Sequence, residues 1–175
     1  EEIKWAKLFE EDQILENGYR TQQGTKPQTL SYSMVDSPVG IAAWIIEKMR
    51  SWSDCNGDLE SKWTKDHLLT NIMIYIVTGT FPTASWIYYG RRIEGNTTAA
   101  ASIVLSEEGK RVEVPTGCAL FPKEILRWAP KSYVERIYNV TRWTEMSSGA
   151  HFAAMEEPEL YINDVRTFAS ENYSS

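Results

Sequence analysis

The residue best placed for acid–base chemistry is His151, in a Gly/Ala loop between a predicted apolar strand and a predicted C-terminal helix. Glu124 lies upstream at the end of another apolar segment, 120–124. A histidine that takes a proton from water needs an acid on its other ring nitrogen, to fix the tautomer and to stabilise the imidazolium. The order strand, acid, strand, histidine, helix therefore predicts the second half of a catalytic triad.

The placement of the two residues supports this interpretation, but the spacing alone leaves a structural role open. Ligands of open α/β sheets bind beyond the carboxyl ends of the strands, where both Glu124 and His151 are predicted to lie. A loop histidine near a surface glutamate is nevertheless more often structural than catalytic. The only other histidine, His67, is in a polar helix start and is predicted to be a surface residue.

A nucleophile to complete the triad is missing from the sequence. The strand-to-helix elbows of hydrolases, G-x-S-x-G or G-x-D-x-G, do not occur. Cys118 is excluded as a nucleophile because it falls inside a predicted strand without the sharp turn that exposes such a residue. The chain thus resembles the back half of an enzyme.

Two tyrosines are further candidates. Tyr19 follows Gly18, and Tyr89 ends an aromatic helical segment. Phenols that face a buried pocket can donate a hydrogen bond to a developing alkoxide. The chain has nine tyrosines, so packing is the alternative role for each of them.

The surrounding pattern predicts helices that lead into a short α/β segment. Helical spacing of apolar residues and cap residues such as Ser37 and Thr64 predict the helices, and β-rich runs predict the strands. The predicted elements are helices over 3–15, 38–52, 65–77, 82–92 and 158–171, loops over 18–27 and 54–58, and strands over 112–120 and 138–143. Strand, helix, strand, helix is typical of a parallel sheet edge. We therefore predict a helical cap over 1–99, which ends in a polar linker at 94–99, and part of an α/β core over 100–175.

Composition limits the class of protein. With 175 residues, 42% of them hydrophobic, the chain is long enough for a core. The net charge of −6 and the lack of a basic run argue against a nucleic-acid partner. The two cysteines, Cys55 and Cys118, have no metal-ligand spacing, and we expect no disulfide and a reducing compartment. No apolar run reaches transmembrane length.

Several motifs resemble the epoxide hydrolases related to the microsomal and juvenile hormone enzymes, and they occur in the same order along almost the whole chain. The matching segments include Asn17-Gly18-Tyr19, Asp36-Ser37-Pro38-Val39-Gly40, Thr78-Gly79-Thr80, Val114-Pro115-Thr116-Gly117, Phe121-Pro122-Lys123-Glu124, Gly149-Ala150-His151-Phe152-Ala153-Ala154 and Glu156-Glu157-Pro158-Glu159. One departure is Ala150, where the family usually has a second glycine before the histidine; it is mild if Ala150 keeps a negative φ. As a set, these motifs are highly specific.

The resemblance implies the C-terminal portion of an α/β-hydrolase fold and a two-step reaction. In this family an aspartate opens the epoxide and forms an ester, two lid tyrosines protonate the epoxide oxygen, and a histidine oriented by an acid activates water to hydrolyse the ester. The resemblance assigns the base to His151, the acid to Glu124 and the lid tyrosines to Tyr19 and Tyr89. Tyr88, next to Tyr89, remains an alternative for the second tyrosine. Substrate contacts are implied for Tyr88, Trp86 and Phe152.

The implied substrates are an apolar epoxide and water, with no metal or organic cofactor. Because the nucleophile is absent, we expect a second polypeptide that carries the N-terminal half with the nucleophilic aspartate, and an incomplete fold without it. The expected location is the cytoplasm or, through a missing N-terminal segment, the endoplasmic reticulum membrane. Two alternatives stay open: a biosynthetic cyclase in which a substrate hydroxyl replaces water, and a non-catalytic half that only stabilises a partner.

Overall fold

The computed structural model describes residues 1–94 and 111–173. These residues divide into two compact units. The sheet unit comprises Glu1–Gln13, Trp52–Asp54 and the described part of Ala100–Ser175, and the helical unit comprises Ile14–Ser51 and the described part of Cys55–Ala99. The predicted boundary between 99 and 100, and the predicted linker 94–99 except for Glu94, lie outside the described residues.

Helices make up the described elements of the first 94 residues. In chain order they are α1 Glu2–Glu16, α2 Gly18–Thr25, α3 Pro27–Met34, α4 Pro38–Ser51, a 3-10 helix Leu59–Ser61, α5 Lys65–Thr78 and α6 Phe81–Ile93. The predictions of helices over 3–15, 38–52, 65–77 and 82–92 are confirmed to within two residues at each end.

Caps that are visible in the sequence set the starts of α4 and α5. Ser37 Oγ accepts a hydrogen bond from the Gly40 N–H at 3.1 Å, and Thr64 Oγ1 accepts one from the His67 N–H at 3.2 Å. Each hydroxyl satisfies a backbone donor that has no partner within the helix. Gly79 ends α5 in the left-handed region, with φ of 63°.

The loop predicted over 18–27 is wrong, because this segment forms α2 and the start of α3. Pro27 occupies the first turn of α3, and Lys26 between the two helices has non-helical angles, with φ of −135° and ψ of 58°. Both helices pack on α6. The Arg92 Nε donates to the Gly24 carbonyl at 2.6 Å, which joins the end of α2 to α6. Tertiary packing thus overrides the weak helix propensity of a Gly- and Thr-containing segment.

The core of the helical unit lies among α3, α4, α5 and α6. Its buried members are Leu30, Met34, Ile41, Ile72 and Phe81. Leu30 and Met34 lie four residues apart on α3, and the partly buried Ile45 and Ile76 follow Ile41 and Ile72 at the same spacing, which is the pattern of an amphipathic helix that buries one face. This core holds α3 and α6, and α2 packs on both of them, so the core positions the helices that carry the two candidate tyrosines.

Two parallel strands form the sheet of the other unit. They are β1 Val112–Leu120 and β2 Tyr138–Glu145, followed in the chain by the helical turn α8 Ala153–Glu156 and by α9 Pro158–Tyr173; α7 Lys131–Val134 lies between the strands. The register pairs Leu120 with Glu145. The predictions of two strands, of their parallel direction and of the terminal helix are confirmed.

Helix α9 covers the sheet through one close contact and one charged group. Phe168 lies so near Gly117 that a Cβ there would be 2.9 Å from its ring. Asp164 Oδ1 accepts hydrogen bonds from Arg142 Nε at 2.7 Å and from Thr144 Oγ1 at 2.8 Å. The helix is thereby tied to β2 close to the end from which the His151 loop emerges. Among the residues described, no helix combines the length and the apolar character needed to cross a membrane.

Candidate active site

The loops that carry the acid and the histidine leave the same edge of the sheet. The Met146 N–H donates to the Leu120 carbonyl at 2.9 Å, where β1 and β2 end. Beyond that point the Lys123 N–H donates to the Gly149 carbonyl at 3.1 Å, so the two loops continue side by side. The parallel direction of the strands is the reason that residues far apart in sequence meet here.

His151 and Glu124 form a direct pair. His151 Nδ1 lies 2.8 Å from Glu124 Oε1, and the same oxygen accepts the Leu126 N–H at 3.2 Å. The Glu124 side chain is 15% exposed and that of His151 is 35% exposed, so the acid is the more buried partner. A carboxylate at Nδ1 favours the tautomer with the proton on that nitrogen, which leaves Nε2 as the acceptor.

The pair alters the acid–base properties of the imidazole. The hydrogen bond to Glu124 raises the pKa of His151 above its ordinary value, and burial opposes this effect in part. The charges of Glu124 and Glu156 add to the rise. A base with a raised pKa binds a proton more strongly and needs a higher pH to be neutral before it can accept one.

Gly149 and Ala150 set the backbone path of the histidine loop. Gly149 has φ of 101°, and a Cβ at this residue would lie 2.7 Å from Phe121 Cδ1. Both facts require glycine. Ala150 is 1% exposed, and it is not among the described residues with a positive φ. The loop therefore accepts an alanine at the position where the resemblance predicts a second glycine.

Sequence reasoning missed the segment Trp52–Asp54, which lies against this loop within the sheet unit. The Trp52 carbonyl accepts the His151 N–H at 3.1 Å, and the Trp52 ring meets the imidazole edge-on, with centroids 5.1 Å apart. Asp54 Oδ2 accepts the Gly149 N–H at 3.0 Å. The contacts join residues about 100 positions apart. No local pattern predicts them, although an aromatic and an acid just after a helix end were visible in the sequence.

Phe152, implied as a substrate contact, lies in the same cluster of rings. Its ring centroid is 5.3 Å from that of His151 and 6.4 Å from that of Trp52. The side chains form one aromatic wall beside the imidazole. Such a wall suits an apolar ligand better than a charged one.

In the helical unit, Tyr19 packs against Tyr88. The two rings meet edge-on, with centroids 5.7 Å apart. Burial, together with the charge and the hydrogen bond of Tyr88, raises the pKa of Tyr19 to about 12. Tyr19 also borders an open cavity of about 570 Å³ that Trp44 and Lys48 help to line. The phenol therefore stays protonated at neutral pH beside a space of ligand size.

Tyr89 and Trp86 form a separate contact on α6. Their rings meet edge-on at 5.3 Å, and the Arg92 guanidinium lies 5.6 Å from the centre of the Tyr89 ring. Trp86 is 44% exposed, and its Nε1 donates to Gln28 Oε1 at 3.2 Å. Neighbouring residues of a helix point about 100° apart, so Tyr88 and Tyr89 face different sides. Tyr88 is the one that contacts Tyr19.

The remaining polar candidates do not form a second site in the described part of the chain. His67 is exposed in the first turn of α5, as predicted. Cys55 and Cys118 are free thiols, and burial raises the pKa of Cys118 above its ordinary value. The described residues contain no cluster of three or more His, Cys, Asp or Glu side chains able to hold a metal ion.

The relatives found by comparison with known proteins are epoxide hydrolases. A search of protein-family models finds no match. The chain is 41% identical over 160 residues to epoxide hydrolase 1 of Sus scrofa, across 87% of this chain and 34% of the relative. It is 37% identical over 156 residues to juvenile hormone epoxide hydrolase 2 of Ctenocephalides felis, across 86% of this chain and 32% of the relative. The chain thus spans about a third of the length of these curated relatives.

A solved structure extends the likeness to three dimensions. The crystal structure of juvenile hormone epoxide hydrolase from the silkworm Bombyx mori superposes with a TM-score of 0.81 at 28% identity, across 95% of this chain and 39% of that one. Sequence and fold agree on the same relatives and on the same extent. The chain is therefore homologous to a segment of the microsomal and juvenile hormone epoxide hydrolases, whose structures have the α/β-hydrolase fold.

Proposed function

We propose that this chain supplies the acid–base residues of an epoxide hydrolase that converts an apolar epoxide into a vicinal diol through an enzyme ester. The observation that carries the proposal is the 2.8 Å contact between His151 Nδ1 and Glu124 Oε1, at the carboxyl ends of two parallel strands. The homology of the chain supports the reaction class. The aromatic wall of Trp52 and Phe152 supports an apolar substrate.

In the first step, the carboxylate of an aspartate attacks one epoxide carbon, and the bond from that carbon to the ring oxygen breaks. The electron pair stays on the oxygen, which takes a proton from a tyrosine. Tyr19 suits this role because its phenol borders an open cavity of ligand size. Tyr88 is the second phenol that we assign to the oxygen, because it packs against Tyr19.

In the second step, His151 Nε2 takes a proton from water, and the hydroxide adds to the carbonyl carbon of the ester. The bond from that carbon to the substrate oxygen then breaks, and this oxygen takes the proton held by the His151 imidazolium, so the diol is released. The aspartic acid that remains loses its proton, and the tyrosinate of the first step regains one, which restores both groups. Glu124 stabilises the imidazolium and holds the tautomer. General-base catalysis of this kind contributes about 100- to 10,000-fold.

The nucleophilic aspartate is proposed to come from outside these 175 residues. The source is a second polypeptide or a further part of the same protein. A denaturing gel of the native protein, followed by sequencing of each band, distinguishes the two. A single band of this chain's mass from an active protein would contradict both, because the chain has no nucleophile elbow.

Isotope-labelled water tests the proposed reaction. The native protein is incubated with an apolar epoxide in ¹⁸O-water over many turnovers, and the molecular mass of the product is measured by mass spectrometry. We expect a diol with one oxygen from water. A cyclic product without label indicates that a substrate hydroxyl replaces water, and absence of turnover in the complete native protein favours a stabilising role. Either result overturns the proposal.

A further inference from the structure

Glu156 is a buried carboxylate that the proposed reaction does not use. Its residue is 8% exposed, and it is the last residue of the helical turn α8. Oε2 accepts the Asp54 N–H at 2.7 Å, and Oε1 accepts the Phe152 N–H at 3.0 Å. Both oxygens therefore bind backbone donors that lie on two segments far apart in sequence.

Asp54 makes the return contact. Its Oδ2 accepts the Gly149 N–H at 3.0 Å, while its own N–H is bound by Glu156. Between these two bonds, the Trp52 carbonyl accepts the His151 N–H at 3.1 Å. We call the side chains of Asp54 and Glu156 the carboxylate clasp. The clasp joins Trp52–Asp54 to the histidine loop on both sides of His151.

The clasp restricts the orientation of the imidazole ring beyond the restriction that Glu124 imposes. Glu124 fixes one ring nitrogen, but a single hydrogen bond leaves the ring free to tilt about it. The Trp52 ring, 5.1 Å away and edge-on, limits this tilt, and its position depends on the backbone that the clasp holds. A shift of about 1 Å in a catalytic group can cost about 100-fold in rate.

A purely structural cap would not need a buried anion near the base. Burial of a carboxylate is costly, and a neutral acceptor would satisfy a backbone N–H at lower cost. The negative charge of Glu156 is instead close enough to contribute to the raised pKa of His151. Geometry and charge thus both link the clasp to the imidazole.

We propose that Asp54 and Glu156 are positioning residues that hold Trp52 and the His151 loop in the geometry needed for hydrolysis of the ester. This inference rests on the proposed function, since it assigns the clasp to the second step. Ester formation depends on a nucleophile outside the chain and should be far less sensitive to the clasp.

The first test compares Asp54→Ala with Asp54→Asn in the native protein. Alanine leaves the Gly149 N–H without an acceptor, whereas asparagine can still accept it through its amide oxygen. Pre-steady-state measurement of the ester should show breakdown slowed roughly tenfold or more in Asp54→Ala, with ester formation at the native rate and with most of the loss restored in Asp54→Asn. Breakdown at the native rate in Asp54→Ala, or equal slowing of both steps, would overturn the proposal.

The second test measures the pKa of the His151 imidazole directly and does not require the enzyme to turn over substrate. Glu156→Gln is compared with Glu159→Gln, an exposed glutamate in the first turn of α9. NMR titration, with the His151 signal identified by its loss in His151→Gln, should show a lower pKa of His151 in Glu156→Gln and no change in Glu159→Gln. An equal pKa in both variants overturns the role of the clasp.

The two tests separate the possible failures. If the native protein forms no ester, the proposed function fails, and the titration still decides whether the clasp acts on His151. If Glu156→Gln does not fold, the comparison of Asp54→Ala with Asp54→Asn decides the proposal by itself.

Discussion

At the residue scale, the central feature is a histidine whose two sides are held by different parts of the sheet unit. Glu124 binds Nδ1, and the backbone N–H of His151 binds the Trp52 carbonyl. The pairing of Glu124 with His151 could be predicted from sequence, because both residues follow apolar strands of one predicted sheet. Trp52 and Asp54 could not, because nothing in their own segment indicates a contact with residues about 100 positions away.

The assignment of the second tyrosine is testable by removal of single hydroxyl groups. The sequence predicts Tyr89 from its family resemblance and leaves Tyr88 open, and the structure packs Tyr88 against Tyr19. We expect Tyr88→Phe to slow ester formation by about 10- to 100-fold, because it removes one donor to the developing alkoxide. Tyr89→Phe is the matched control and should change the rate by less than about threefold under the same assay. Stopped-flow measurement of ester formation distinguishes the two variants. A larger loss of rate in Tyr89→Phe than in Tyr88→Phe would contradict the assignment of Tyr88 and would make Tyr89 the second proton donor.

The pH dependence of ester hydrolysis follows from the raised pKa of His151. The base must be neutral, so the rate falls on the acid side as pH drops through this pKa. Glu124→Gln removes the largest cause of the rise, so the pKa falls and the acid limb moves to lower pH. The maximal rate should also fall, since an amide does not stabilise the imidazolium.

A pH profile of ester breakdown in both proteins checks the expectation. A matched profile of Glu159→Gln controls for the loss of one negative charge. An acid limb at the same pH in Glu124→Gln and in the native protein would show that His151 is not the titrating base.

At the element scale, the site depends on how two parallel strands end. The helical spacing of apolar residues, the caps Ser37 and Thr64, and the β-rich runs predict most helices and strands, because each acts through local backbone chemistry. The segment 18–27 was predicted wrongly because its helices are stabilised by packing on α6, which local propensity does not reveal. The loop path at Gly149 is set in the same non-local way by Phe121 and Glu157.

Gly149→Ala tests that loop path. A Cβ at φ of 101° and 2.7 Å from Phe121 is strained in conformation and in space. We expect a loss of about 1–3 kcal/mol in the free energy of unfolding, measured by urea denaturation with circular dichroism. Gly90→Ala, in α6 with open space around its Cβ position, is the control and should leave stability unchanged or raise it by about 0.5–1 kcal/mol. Equal effects of the two substitutions would contradict the loop geometry.

At the scale of the whole chain, the described residues form a helical unit that carries Tyr19 and Tyr88 and a sheet unit that carries His151 and Glu124. The α/β character and the family could both be predicted, because specific motifs extend along nearly the whole sequence. Substrate identity was not predictable, since apolar side chains select for size and shape rather than for one compound. The segment corresponds to about a third of its curated relatives.

The most direct test of the account is a single-turnover experiment on the native protein with His151→Gln. Without the base, the aspartate should still open the epoxide, and the intact mass of the polypeptide that carries the aspartate should rise by the mass of the substrate. Diol release should slow by roughly 100- to 10,000-fold. Diol formation at the native rate without a trapped ester would contradict the assignment of His151 as the base of the second step.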